Sequence, residues 1–296
     1  MIVDDELASV IKRVPLLSDA AWLEVVPLVG GLTNVSYRVT IPDGSFAVRV
    51  SGENVSVLGL DRCREQLMLT RAVEAGLAPE TVAVLQPEGH TVAAFIDAVP
   101  HTMETFVQPD HQARVARALR DVHALALVDA PHHDPYRDIE RWLQIIDSRS
   151  VQRPARLAEA LDETETVRQR RAGRFEPVMC HNDPHPNNVL DDGDRLWLID
   201  WEYAGVGDPF FDFAGVARHL TPAQRDHFLA CAVDEPTCED RTDLDGMVDV
   251  FLTWSIIWSL LQVTDSKVAD FDFAEYAEVQ LDQVVPAAKR TRILQA

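Results

Sequence analysis

Lysine is almost missing from this chain: Lys12, Lys267 and Lys289 are the only ones among 296 residues. The remaining basic residues are arginines, and acids outnumber them so far that the formal net charge is −21. Such a balance speaks against general affinity for nucleic acid or an anionic membrane, whose fields it repels. A polyanionic ligand would have to be held by a few local positive groups. A Walker phosphate-binding run, G-x-x-x-x-G-K-[ST], is also absent. The four cysteines, Cys63, Cys180, Cys231 and Cys238, form no C-x-x-C pair, which reads as free thiols in a reducing cytoplasm. The opening MIVDDELASVIKRV has neither the basic flank nor the apolar run of a signal peptide. The most apolar stretch, MVDVFLTWSIIWSLLQV from Met247, is broken by Asp249, Thr253, Ser255, Ser259 and Gln262. A spanning helix needs about 20 mostly apolar residues, so this one reads as a buried core helix. A cytoplasmic location without membrane insertion is expected.

What is present is unevenly distributed. With 47% hydrophobic residues the chain can bury a core, as one large or two ordinary domains. Residues 3–13 read as a short amphipathic helix. Two β-rich runs follow, VSYRVTI and SFAVRV, joined by the tight-turn signature Pro42-Asp43-Gly44 and preceded by the flexible run Gly30 to Asn34. LDRCREQLMLTRAVEAG reads as a helix stopped by Gly76, and VAVLQ and TVAAFID as two further strands. Beyond Asp97 the pattern is mainly helical, over 111–127, 137–147, 154–172, 222–233, 244–263 and 273–283. The expectation is an α+β chain of two lobes: 1–97, a small antiparallel sheet with one main helix, and 98–296, larger and mainly helical.

The exception within the second lobe is VMCHNDPHPNNVLDDGDRLWLIDWEYAG, Val178 to Gly205. Its acceptor side chains would be ordinary turn formers if taken singly. As a set they are not. Asn188 and Asp200 flank two short strand-like runs joined by a DDGD turn, which folds them back to back. An amide oxygen and a carboxylate so placed suit Mg²⁺, which commonly takes one or two carboxylates plus substrate phosphates. Asp183, five residues before Asn188, is near enough to orient a hydroxyl beside a metal-bound phosphate. Zinc is a poor alternative, since the prolines between His181 and His185 forbid the helix such a pair needs.

At these residues the chain resembles the aminoglycoside phosphotransferase and choline kinase superfamily, relatives of protein kinases. HNDPHPNNVL followed by LIDWEYAG is similar to their catalytic loop and metal loop. The resemblance implies Asp183 as catalytic base, Asn188 and Asp200 as Mg²⁺ ligands and Asp212 as a support of the loop. It further implies a nucleotide site for ATP. Gly30, Gly31, Thr33 and Asn34 would cover the phosphates, Arg49 would pair with Glu65, and Phe95 and Ile96 would form the hinge. The C-terminal run is similar to choline and ethanolamine kinases. It implies an acceptor site of Glu202, Tyr203, His219, Trp254, Trp258, Phe271, Phe273 and Tyr276, with rings boxing an ammonium group through cation–π contact. The chain departs from those kinases at His219, where they usually carry an acid, and Arg218 stands beside it; Asp208 or Glu202 would have to compensate. The implied activity is ATP- and Mg²⁺-dependent phosphorylation of a small, cationic amino alcohol such as choline or ethanolamine. The alternatives are an aminoglycoside or other hydroxylated acceptor, and a non-catalytic kinase-fold binding protein, which would be expected to have lost Asp183, Asn188 or Asp200. The resemblance leaves room for a homodimer.

Overall fold

The computed structural model describes residues 5–28, 31–52, 55–127, 131–266 and 271–284. Its first lobe is an antiparallel sheet of β1 (Glu24–Leu28), β2 (Val35–Ile41), β3 (Gly44–Val50), β4 (Thr81–Leu85) and β5 (His90–Ala94), in the order β1-β2-β3-β5-β4. Pro42 and Asp43 make the connection between β2 and β3. β1 went unread in the sequence because Pro27 interrupts it. It lies at the sheet edge, where a residue without an N–H is tolerated. The helix Asp5–Lys12 lays Leu7, Val10 and Ile11 against Val39, Ile41, Val48 and Val92, so this lobe has a core of its own.

Between β3 and β4 runs the helix Arg62–Glu74, whose first turn is capped by Asp61 accepting the N–H groups of Cys63 and Arg64. Its Met68 and Ala72 belong to the larger apolar cluster of the second lobe, so this helix ties the two lobes together. The second lobe holds two small sheets, β6 (Val99–Pro100) with β8 (Val189–Asp191) and β9 (Leu196–Leu198), and β7 (Val178–Cys180) with β10 (Gly205–Gly207). Around them pack helices Pro109–His123, Pro135–Ser148, Leu157–Arg171, Pro209–Ala217, Pro222–Ala232, Cys238–Asp265 and Phe273–Val284.

The helix Cys238–Asp265 is the axis of this lobe and touches four of the others. It begins earlier than its apolar pattern suggests, because Thr237 and Asp240 form a capping box. Among the described residues it alone is long and apolar enough to cross a membrane, yet 89% of its apolar window is buried inside the protein. Being apolar all round, it is a core helix. The fold is α+β and bilobal, and the acid-rich stretch lies under the sheet of the first lobe.

Candidate active site

β7 and β10 pair so that the chain leaves β7 into the loop beginning at His181. Asp212, wholly buried on the helix Pro209–Ala217, shapes that loop. Its carboxylate accepts the N–H groups of His181 at 3.0 Å and Asn182 at 2.5 Å, and His123 Nε2 at 2.8 Å. Burial alone would raise its pKa, but His123 and the loop amides outweigh that and hold it below the usual carboxylate value. Asn182 sits at φ 66°, a conformation Asn tolerates, and its Nδ2 donates to the Tyr203 carbonyl at 2.9 Å. Burial lowers the His181 pKa, so the ring is neutral. Its Nδ1 accepts the Asp183 N–H at 3.2 Å, which leaves Nε2 to donate to the Ile199 carbonyl at 3.0 Å.

Asp183, Asn188 and Asp200 converge from these supports. Asn188 directly precedes β8, and the Ile199 N–H donates to its carbonyl at 3.0 Å across the hairpin. The Asn188 amide nitrogen donates to Asp183 Oδ2 at 2.9 Å and to the Asp183 carbonyl at 3.0 Å, leaving the amide oxygen for a cation. Asp183 is pushed up to about 8, first by burial and then by the charge of Asp200. Glu202 is pushed up to about 7 by the same two causes, and Asp200 is raised by burial against the pull of Arg49. A dication held among these carboxylates would offset their mutual repulsion. Oxygen donors of this kind fit Mg²⁺ rather than a softer metal.

The first lobe meets this site through Arg49. It donates to Glu65, to Asp200 Oδ1 at 2.8 Å and to the Gly89 carbonyl at 3.1 Å. Burial would lower its pKa, but Glu65, Asp200 and Glu202 outweigh it and keep the guanidinium charged. Arg62, which sequence reasoning passed over, bridges Glu65 at 2.6 Å and Glu202 at 3.3 Å from one turn of the same helix. Glu202 also accepts Thr33 Oγ1 at 3.0 Å and Asn34 Nδ2 at 3.1 Å. Glu202, expected at the acceptor site, thus meets Thr33 and Asn34 of the first lobe. Gly31 is required there, since a Cβ would lie 2.1 Å from the Asn34 carbonyl. Gly30 lies outside the described residues. The Phe95 N–H continues the sheet by donating to Ser45, and the Ile96 carbonyl accepts the Ala98 N–H.

The aromatic candidates divide. Trp254 is a core residue, packed on Trp142, Tyr203, Phe211 and Phe251, with its indole N–H on Asp138 at 3.3 Å. The reason is that its helix is buried on all sides. Tyr203, edge-on to Trp254 at 4.9 Å, is buried with it. Trp258, Phe271, Phe273 and Tyr276 do form a set, in contact at centroid distances of 5.8, 4.8 and 5.4 Å. Tyr276 receives a hydrogen bond from Arg218 Nη1 at 3.3 Å. Arg218 Nε donates to His219 Nε2 at 3.1 Å. Burial, then Arg218 and His185, lowers His219 to about 2, so that ring is neutral. Neither acid that was to offset these residues is free to do so, for Asp208 holds Arg171 at 2.6 and 2.9 Å and Glu202 is engaged above.

The model of a phosphotransferase enzyme family matches residues 24–244. Protein LicA of Haemophilus influenzae is 25% identical over 228 residues, 73% of this chain but only 64% of that protein's length. A choline/ethanolamine kinase of Homo sapiens is 27% identical over 312 residues, covering 86% of this chain and 78% of that one. A crystal structure of a choline/ethanolamine kinase family protein from Mesorhizobium loti superposes with a TM-score of 0.81 at 25% identity, over 97% of this chain and 96% of the other.

Proposed function

The chain belongs to the phosphotransferase enzyme family, and from that premise we propose that it transfers the γ-phosphoryl group of ATP to the hydroxyl of a small alcohol. The observation that carries this reading is the meeting of Asp183, Asn188 and Asp200 with the Arg49–Glu65 pair in one buried, acid-rich cleft. Phosphoryl transfer asks the protein mainly for positioning and for charge to offset that of the moving group. Asn188 and Asp200 would hold Mg²⁺, which supplies that offsetting charge when bound. Arg49, fixed by Glu65, is the local cation that a chain of net charge −21 needs in order to hold a polyphosphate. Thr33 and Asn34 arch over the same space from the first lobe. Asp183 has Oδ2 fixed by Asn188, which leaves Oδ1 to orient the acceptor hydroxyl and receive its proton.

The names of the relatives, together with Trp258, Phe271, Phe273 and Tyr276, support an amino alcohol such as choline or ethanolamine as the acceptor. An aminoglycoside, being a polycation, finds less support, because Asp208 and Glu202 are bound within the protein. The test is ADP release with Mg²⁺ and ATP across choline, ethanolamine, thiamine and aminoglycosides. Acceptor-dependent release is expected, and Asp200→Ala should abolish it. Release that persists in Asp200→Ala at ordinary Mg²⁺ would remove this residue from the site.

A further inference from the structure

Resting on the kinase reading above, and departing from choline and ethanolamine within the amino-alcohol class, we infer that the acceptor alcohol carries an acid group, a carboxylate or similar oxyanion, which Arg218 binds beside Asp183. The starting point is how this chain treats its buried arginines. Arg49, Arg62 and Arg171 each hold at least one carboxylate within 3.3 Å. Arg218 is as buried, at 8% exposed, and among the described residues it has no carboxylate within ion-pair distance. In a chain with 48 acids that is a marked exception.

Its neighbours are neutral. Nε donates to the uncharged His219 ring, Nη1 donates to the Tyr276 hydroxyl, and the guanidinium lies 5.0 Å from the Phe251 ring centre. Nη2 has no acceptor among the described residues. A charge taken out of water is costly unless something of opposite sign comes to it.

Arg218 adjoins the reacting end of the site. The His219 ring that its Nε meets stands edge-on to His185 at 5.5 Å, and Gly215, three residues before Arg218, abuts Pro184, so Arg218 lies beside the loop that carries Asp183. It also bonds Tyr276, one of the rings that would box an ammonium group. One cation is thus already present where a purely cationic acceptor would put its own, and Asp208 and Glu202 are not free to offset it. A planar guanidinium with an unused edge is suited to a carboxylate or phosphate. An alcohol bearing both an amine and an acid would satisfy the rings and Arg218 together.

The test is kcat/KM of the full chain, with Mg²⁺ and ATP, for four acceptors of similar size: ethanolamine, ethylene glycol, glycolate and serine. Glycolate or serine should exceed both acid-free alcohols by about tenfold or more, the size of a charge-assisted hydrogen bond. Arg218→Met should erase that ratio, and Arg218→Lys should restore part of it. A binding readout guards against poor turnover: glycolate should raise the Tm of the wild type and not that of Arg218→Met. Preference for ethanolamine over both glycolate and serine overturns the inference, as does absence of a glycolate shift in the wild type. An Arg218→Met variant slowed equally on all four acceptors also overturns it, since Arg218 would then act on the phosphoryl group. Failure of the kinase reading looks different: ATP would neither bind with Mg²⁺ nor be consumed with any acceptor.

Discussion

Asp183 takes its character from its surroundings rather than from its own chemistry. Buried, facing Asp200 and held by Asn188, it is tuned to about 8 without a metal. Asp183→Asn should lower kcat by roughly 10²–10⁴, the usual range for a general acid or base, with ATP affinity little changed. A variant keeping more than a tenth of the turnover would remove it from that role. The same shifts set a pH dependence. Asp183 and Glu202 have folded pKa values above their unfolded ones, so the metal-free fold loses stability as pH rises toward 7–8. Buried neutral His181 and His219 act in the opposite sense, so the carboxylate part is read by difference. The wild-type Tm relative to Glu202→Gln should rise on acidification from pH 8.5 to 6, and a difference that falls over this range would contradict the reading. Asp212 has the opposite sign, because its depressed pKa contributes stability that is lost only in stronger acid. Asp212→Ala removes a buried carboxylate from three donors and should cost about 3–5 kcal/mol in denaturant unfolding. The placement of single residues was legible where the turn between them was plain, as with the DDGD turn that brings Asn188 and Asp200 onto one hairpin. Glu202 and Trp254 were not, because a carboxylate or an indole reads alike whichever lobe or face it meets.

At the level of elements, the helix Pro209–Ala217 has the greatest influence on the site. It carries Asp212 and ends at Arg218, and at Gly215 it lies against the loop that follows β7. A Cβ there would come within 2.8 Å of the Pro184 side chain and 3.0 Å of Phe251. Gly215→Ala should therefore destabilise by about 1–3 kcal/mol, as overpacking does, and lower activity more than the stability loss explains. Unchanged unfolding and turnover would show the contact to be slack. This helix was hidden in the sequence, since PFFDFAGVA is buried on every side and shows no period. β7 and β10 were hidden for another reason: three residues are too few for an alternation to show. The hairpin of β2 and β3 was legible because its turn residues and alternation agree, and the helix Arg62–Glu74 because its apolar side and glycine stop agree.

On the scale of the whole molecule, the two lobes are held across the cleft by charge. Arg49 reaches Asp200, and Glu202 reaches Thr33, Asn34 and Arg62. The surface around them carries the net charge of −21. Self-repulsion of that size is screened over about 10 Å at 0.1 M salt, so the Tm should climb as salt is added from low ionic strength. A Tm that falls would mean that the internal pairs, rather than the global charge, dominate the salt response.

The central claim is that Asp183, Asn188, Asp200 and Arg49 form one machine for moving a phosphoryl group to an alcohol. Phosphorus NMR of a reaction containing Mg²⁺, ATP and an acceptor panel tests it most directly. The account predicts a new phosphomonoester signal growing in step with ADP, dependent on the acceptor and absent in Asp183→Asn and Asp200→Ala over the same period. ATP that binds with Mg²⁺ yet gives no phosphomonoester with any alcohol, or gives it equally in both variants, would contradict the claim.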